Sequence, residues 1–378
     1  MPAPRKPRIL VLSASVGAGH IRAAQAMELA LKQAAPDAEV KNVDVLTLTN
    51  ALFKRLYGTA YLDMVNKAPH LLGAIYDLTD KPARNRGASH ALKLLVQKAN
   101  LTKLSELLAQ DWDVVVNTHF LPADLLARAR RKKRSTTRNV TVVTDFDAHA
   151  FWVNEPCDRY YVAAEEAALS LAWWGIDRER ITITGIPVHP VFAEPKDVAA
   201  CRRKHGLSTD RPVVLQLAGG FGVGPIEGML KTLLAIEKPT HIVVVCGKNA
   251  ELKSKLGKVA VPAHHRVTLM GFTTEIDELM AAADAVITKP GGLTTAEVLA
   301  RGAAMVIMNP VPGQEDRNSD YLLENGAAIK VNTLSALGWK VSGLLSDPAR
   351  LASLRARAKK LGQPGAGATI ARDVLASL

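Results

Sequence analysis

The stretch of this chain with the most chemical potential is Lys289-Pro290-Gly291-Gly292-Leu293-Thr294-Thr295-Ala296-Glu297. An apolar run from Asp284 to Ile287 reads as a buried strand, and Lys289-Pro290-Gly291-Gly292 breaks it. Leu293, Ala296, Val298, Leu299 and Ala300 then give a helical apolar face, with Thr294 and Thr295 expected at the N-cap. Two glycines before a helix leave backbone N–H groups bare, and the helix dipole favours an anion there, a diphosphate above all. Glu297 lies one turn further in, where its carboxylate could accept from two vicinal ribose hydroxyls. The same residues also fit a plain strand–turn–helix joint, so the rest of the chain has to decide.

The elements that would position such a site follow a doubly wound α/β pattern. Arg8 to Ser13 is an apolar strand, Ser15-Val16-Gly17-Ala18-Gly19-His20 a Gly-rich turn, and Ala23, Ala24, Met27, Ala30 and Leu31 a helix face. Val40 to Val45 is a second strand, and this order places ligands at strand C-termini. His20 sits at the turn–helix junction and reads either as a cap or packing residue or as a general base. Asp113 to Thr118 is a strand ending at His119. Val140 to Val143 is another, ending in Thr144-Asp145-Phe146 with His149 and Trp152 following. Short strands at Tyr160 to Ala163 and Arg180 to Thr184 complete the first series.

A Pro- and Gly-rich stretch, Gly185 to Phe192, marks the domain boundary, and Lys204 to Arg211 reads as a polar linker. A second α/β series starts at Pro212 to Leu217. Its first turn, Gly219-Gly220-Phe221-Gly222-Val223-Gly224, is a phosphate-loop candidate. Strands follow at His241 to Cys246, Val267 to Leu269 and Met305 to Met308, the last leading into Gln314 and Glu315. The expected organisation is an N-terminal domain over 1–186, a C-terminal domain over 187–360, and a helix within 361–378 packing back on the first domain.

Composition narrows the partners. The 378 residues are 48% hydrophobic and 22% charged, which fits two globular domains, and the net charge of +12 points to a polyanionic partner. Residues 50–138 hold 16 Lys/Arg against 7 Asp/Glu, whereas 139–186 hold 3 against 8, so the first domain is electrically lopsided. Leu52, Phe53, Leu56, Tyr57, Tyr61 and Met64 form an apolar stripe beside Lys54, Arg55 and Lys67, which fits core helices or a membrane-facing flap with a basic rim. The run Arg128 to Arg134 has no interleaved aromatic residue, which weakens a nucleic-acid reading. Cys157, Cys201 and Cys246 are far apart and lack zinc-ligand spacing, so no metal site is expected. No apolar run reaches the length of a membrane span.

Taken in order, several of these turns resemble the MurG-like GT-B glycosyltransferases, and more closely their diacylglycerol branch: the monogalactosyldiacylglycerol synthases and processive glucosyltransferases. The residues that carry the resemblance are Gly17-Ala18-Gly19-His20, Thr144-Asp145-Phe146 with His149 and Trp152, and Thr184-Gly185-Ile186-Pro187. They continue with Gly271-Phe272, Lys289-Pro290-Gly291-Gly292-Leu293-Thr294, Glu297, and Pro312-Gly313-Gln314-Glu315 with Asn318.

The resemblance implies two Rossmann-like domains facing across a cleft. It implies an inverting, metal-independent transfer of a hexose from UDP to diacylglycerol or a glycosyl-diacylglycerol. UDP-hexose is then a substrate, and no cofactor is required. His20 and Asp145 would be catalytic, with Gly19, His149 and Trp152 on the acceptor side. The backbone at Phe272 would hold uracil and Glu297 the ribose. Gly291, Gly292 and Thr294 would hold the diphosphate, Gln314 and Glu315 would read the hexose, and Gly219, Gly220, Gly222 and Leu293 are further donor-binding candidates. The expected location is cytoplasmic, peripheral on the inner face of the cell membrane, against an anionic lipid surface. Three alternatives stand beside it. An N-acetylglucosaminyl transferase acting on a polyprenyl-linked cell-wall precursor would share the donor pocket, but Gly219-Gly220-Phe221-Gly222 lacks the Ser-Gln pair of that loop. A nucleotide-sugar epimerase would need no basic flap, and a basic nucleic-acid binder would be indifferent to UDP.

Overall fold

Runs such as Ile9-Leu10-Val11-Leu12 and Val114-Val115-Val116 are apolar on both faces, which a strand tolerates inside a parallel sheet covered by helices on each side. A computed structural model describes residues 5–50, 69–80, 102–219 and 224–378. In chain order its elements are β1 (Arg8–Ser13), α1 (Ala18–Ala34), β2 (Glu39–Asp44), α2 (Pro69–Thr79), α3 (Thr102–Leu108), β3 (Val114–Asn117), α4 (Phe120–Arg131), β4 (Arg138–Val142), β5 (Arg159–Val162), α5 (Glu165–Trp173) and β6 (Ile181–Ile183). They continue with α6 (Val198–Lys204), β7 (Val213–Leu217), α7 (Ile226–Leu234), β8 (His241–Val245), α8 (Ala250–Leu256), β9 (Arg266–Met270), α9 (Ile276–Ala282), β10 (Ala285–Thr288), α10 (Gly292–Arg301), β11 (Ala304–Met308), α11 (Gln314–Glu324), β12 (Ala328–Val331), α12 (Leu334–Leu345), α13 (Pro348–Leu361) and α14 (Ala366–Ala376).

The chain divides into two units. The first gathers residues 1–190, 312–317 and 363–378, and the second gathers 191–311 and 318–362. In the first, six described strands lie parallel in the order β2-β1-β3-β4-β5-β6. Alternate residues of β1 serve opposite layers, as the two-residue period of a strand requires. Ile9 and Val11 pack with Met27 and Leu31 of α1 and with Ile370 and Val374 of α14. Leu10 and Leu12 pack with Leu104, Leu107, Leu121 and Leu126. The close approach of α14 to α1 depends on Gly367, where an added Cβ would lie 3.4 Å from that of Ala30.

The second unit repeats the theme with the order β12-β11-β10-β7-β8-β9, again all parallel. Its core sets Val214, Ile242, Val244, Ile287 and Val306 against Leu230, Leu233, Leu337 and Val341. One sequence expectation needs correcting here. The stretch from Lys204 to Arg211 is not a loose linker: Leu207 and Ser208 are buried, and Ser208 N donates to His241 Nδ1 at 3.0 Å. Some of the polar side chains that suggested solvent have partners within the unit, such as His205 on Glu278 at 2.8 Å.

Gly362, at the end of α13, has an ordinary φ of −63°, yet a Cβ there would meet the Leu299 carbonyl oxygen at 2.3 Å. Its constraint is space, not backbone conformation. Gly362→Ala is expected to cost about 1–3 kcal/mol, as overpacking does, and to lower the urea midpoint. An unchanged midpoint would contradict the tight approach of α13 to the carbonyl at the end of α10.

Candidate active site

In the first unit β1 is flanked by β2 on one side and β3 on the other, so the crossovers leave it in opposite directions. The C-terminal ends of β1 and β3 then bound a crevice, the place where open α/β sheets take ligands. Gly17 turns the chain out of β1 with φ +89°, a conformation that favours glycine, and α1 begins at Ala18. Gly19 and His20 therefore fall in the first turn of α1, facing the end of β3. His20 Nδ1 lies 3.1 Å from the Thr118 carbonyl and 2.9 Å from Thr144 Oγ1. A carbonyl only accepts, so the proton belongs on Nδ1 and the lone pair on Nε2. Thr118 Oγ1, 3.1 Å from the His20 carbonyl and 3.3 Å from that of Leu12, joins α1, β1 and β3.

His119 caps α4 by accepting the Leu121 N–H on Nδ1 at 3.0 Å, and its ring meets that of His20 edge-on at 4.5 Å. Burial pushes the His20 pKa from 6.5 down to about 4, opposed in part by the Thr118 carbonyl. Burial first, and the neighbouring His20 second, hold His119 well below its ordinary value. Both imidazoles are neutral in the folded chain. The stability they contribute is present above the unfolded pKa of about 6.5 and is lost as the pH falls through that value toward the folded one.

The loop after β4 brings in a carboxylate. Asp145 is buried, and its Oδ2 accepts Trp152 Nε1–H at 3.1 Å. Its Oδ1 accepts the side-chain amide of Gln314, which belongs to this unit through the segment 312–317. The Trp152 ring sits 6.3 Å from that of His20. His149 has both nitrogens committed: Nδ1 accepts Phe151 N–H at 3.0 Å and Nε2 lies 2.9 Å from the Tyr76 carbonyl on α2. It acts as a strut for the loop rather than as an open contact. Arg317 fastens the same region by pairing with Asp80 and, at 3.3 Å, with Asp147, while its guanidinium lies 5.1 Å over the Tyr76 ring.

In the second unit the reversal of strand order falls between β7 and β10. Gly219 lies two residues past β7, with φ +71°. Gly220 and Gly222 lie outside the described residues. After β10 the N-cap of α10 is Gly291, with φ −63°, ψ 140° and no side-chain cap. Thr294 and Thr295 are thus inside the helix, not at its cap. Thr295 N–H already closes on the Gly291 carbonyl at 2.9 Å, and the Thr295 side chain is buried. The amides of Gly292, Leu293 and Thr294 fall in the first turn, which has no intrahelical acceptor for them. Asn318 Nδ2 holds the turn through the Pro290 carbonyl at 3.0 Å. Leu293 is buried, and Glu297, one turn in, is 1% exposed. Phe272, two residues past β9, is 65% exposed with Lys248 Nζ 5.8 Å from its ring centre. Gln314 and Glu315, in the segment 312–317 that belongs to the first unit, open α11 after Gly313, whose φ is +94°.

The basic run is less available than its charge suggests. Arg128 pairs with Asp124 at 2.6 Å, Arg130 with Asp158 at 2.6 and 3.0 Å, and Arg131 with the Glu155 carbonyl. Lys132, Lys133 and Arg134 remain exposed. The apolar stripe Leu52 to Met64 and the cations Lys54, Arg55, Lys67, Lys81, Arg84 and Arg86 lie outside the described residues. Sequence reasoning did not single out Thr118 as the His20 partner, nor Tyr76, Asp80 and Arg317. The position of Thr118 at the end of a strand beside β1 was the available signal; Arg317 offered none.

Comparison with known proteins gives the chain its family. The family model described as monogalactosyldiacylglycerol (MGDG) synthase matches residues 20–188, and that of glycosyl transferases group 1 matches residues 197–361. The chain is 31% identical over 371 residues to a processive diacylglycerol beta-glucosyltransferase of Bacillus licheniformis, covering 97% of this chain and 94% of that protein. It is 30% identical over 370 residues to the protein of the same description from Bacillus subtilis, with the same coverage. The crystal structure of Acinetobacter baumannii MurG superposes with a TM-score of 0.60 at 17% identity, over 98% of this chain and 100% of that one, which speaks to the fold. The chain belongs to the family of the processive diacylglycerol glucosyltransferases and monogalactosyldiacylglycerol synthases, glycosyltransferases of the GT-B fold.

Proposed function

We propose that the protein moves a hexose from a UDP-sugar to the free hydroxyl of diacylglycerol, or of a glycosyl-diacylglycerol, inverting the anomeric carbon. The observation that carries this reading is the His20 imidazole, neutral and fixed with its proton on Nδ1. Nε2 takes the proton of the acceptor hydroxyl as that oxygen bonds to the anomeric carbon. The bond from that carbon to the diphosphate oxygen breaks, and UDP leaves with the electron pair. The first-turn amides of α10 and the positive end of its dipole face the charge that develops on the leaving group. Glu297 takes the ribose, the Phe272 backbone the uracil, and Gln314 with Glu315 the hexose. Gly219, with Gly220 and Gly222 of the same Gly-rich stretch of sequence, is assigned to the phosphates. The lipid acceptor is supported by relatives whose similarity runs through nearly the whole chain.

The same reading puts the protein on an anionic bilayer at the cytoplasmic face. Leu71, Ile75 and Leu78 of α2, spaced along one helical face, are 56%, 39% and 64% exposed. Lys132, Lys133 and Arg134 supply exposed cations, each worth about 1 kcal/mol near such a surface. No helix among the described residues is long and apolar enough to cross a membrane.

Transfer from labelled UDP-glucose or UDP-galactose to diacylglycerol vesicles tests the activity; no glycolipid from either donor rejects it. His20→Ala should lower kcat by ~10²–10⁴-fold, and full activity in that variant would move the base elsewhere. Because the His20 pKa is about 4, kcat/KM should hold level as the pH falls from neutrality to about 5 and decline only below that. A decline centred at 6.5 would mean that the imidazole is not buried in the free enzyme. Glu297→Ala should raise the KM for the donor with little change in that for the acceptor; an unaltered donor KM would remove the ribose contact. Co-sedimentation with anionic vesicles at low salt should be strong and weaken with salt, and its absence would end the membrane assignment.

A further inference from the structure

On the first unit a groove of about 740 Å³ runs between α5 and the loop that carries Asp145, His149 and Trp152. Its walls include Asp80, Ala148, Leu169, Ser170, Trp173 and Trp174. The polar members are already engaged. Ser170 Oγ donates to Asp147 at 2.6 Å, and Asp80 is paired with Arg317 and accepts Ala150 N–H at 3.0 Å. What the groove offers a ligand is a mixed surface in which apolar atoms hold the larger share. Leu169 is 59% exposed and Trp173 is 79% exposed, side by side on one turn of α5. Large apolar side chains left open around a concavity mark a binding surface. The volume lies within the range of small-molecule sites.

The occupant follows from where the groove begins. Ala148 stands in its wall between Asp147 and His149, on the loop that holds the Asp145 carboxylate. Asp80 lies two residues past Leu78, the last of the exposed apolar residues on α2. The groove thus lies between the exposed apolar side chains of α5, the acceptor-side loop and the residue that follows α2, with its charged wall residue neutralised by an arginine. We infer that it seats one acyl chain of the lipid acceptor, in the course that brings the acceptor hydroxyl toward His20. This inference rests on diacylglycerol being the acceptor.

The test uses dihexanoylglycerol and dioctanoylglycerol as dispersed monomers, without vesicles, and the full chain. Each methylene seated in an apolar groove changes affinity about threefold to fourfold, so the wild type should prefer the longer acceptor by about tenfold in kcat/KM. The double variant Leu169→Ser/Trp173→Ala, altered only at exposed positions, should prefer it by about threefold or less, with its donor KM unchanged. A second readout needs no truncation: a short-chain diacylglycerol brominated near the chain end should quench tryptophan emission in the wild type and less so in Trp173→Phe. An unchanged chain-length preference in the double variant, or equal quenching in both proteins, overturns the inference while the activity itself stands. Loss of vesicle activity with the monomer preference intact also overturns it, and makes the patch a bilayer contact. Failure of the wild type to glycosylate any diacylglycerol overturns the functional reading and this one with it.

Discussion

The contact from the His20 imidazole to the Thr118 carbonyl joins residues 98 positions apart, and it exists only because β1 and β3 are neighbours. In a parallel sheet that pairing requires a long crossover, and here it creates the crevice where strand order reverses. A carbonyl at the C-terminal end of a strand has run out of ladder partners and can turn to a side chain. Because it is acceptor-only, it dictates the tautomer of the ring that reaches it. Burial adds the second half of the constraint, since a charged imidazole would lose hydration that the Thr118 carbonyl replaces only in part. The first unit thus delivers a neutral ring with its basic nitrogen defined, and Gly17, Thr118 and Thr144 are the residues that make this so.

The second unit meets the opposite demand, a concentration of positive partial charge. A Ser or Asp at the cap of α10 would stabilise the helix by about 1 kcal/mol and would occupy the amides that an anion needs. Gly291 leaves them without a side-chain cap, and the helix is secured at its other end. Arg301, in its last turn, bonds the carbonyls of Val191 and Glu194 and pairs with Asp277 at 3.2 Å. Gly302, with φ +59°, ends the helix in the left-handed conformation. Stability comes from the C-terminal end, which keeps the N-terminal end available.

The architecture was legible because its signals are local. Apolar runs such as His241 to Cys246 and Met305 to Met308 can be little else than buried strands between helical patterns, and each Gly-rich turn marks a strand's C-terminal end. What stayed hidden depends on contacts between distant residues. Ala328–Val331 is a strand interrupted by Lys330 at the edge of the sheet, and no apolar run announces it. The burial of Leu207 and Ser208 depends on His241, which lies 33 residues beyond Ser208. Thr294 and Thr295 have the right side chains for a cap, yet Gly291 reaches cap geometry first because Pro290 ends the strand before it. The partners of Arg317, Asp80 and Asp147, are 237 and 170 residues away, and no spacing rule connects them.

Four groups around the first crevice could in principle take a proton from an acceptor, and their partners separate them. The lone pair of His119 is spent on the Leu121 amide, leaving Nε2 as a donor. His149 accepts with Nδ1 and donates with Nε2, so neither nitrogen is left for a substrate. Asp145 receives an N–H on each oxygen, from Trp152 and from Gln314, which holds the carboxylate in place. His20 alone donates through one nitrogen and keeps the other basic. The division of labour that results is physical before it is catalytic. A base needs a lone pair not spent on the protein, while a positioning carboxylate needs donors on both oxygens, and His20 in the first turn of α1 and Asp145 on the loop after β4 meet the two requirements separately.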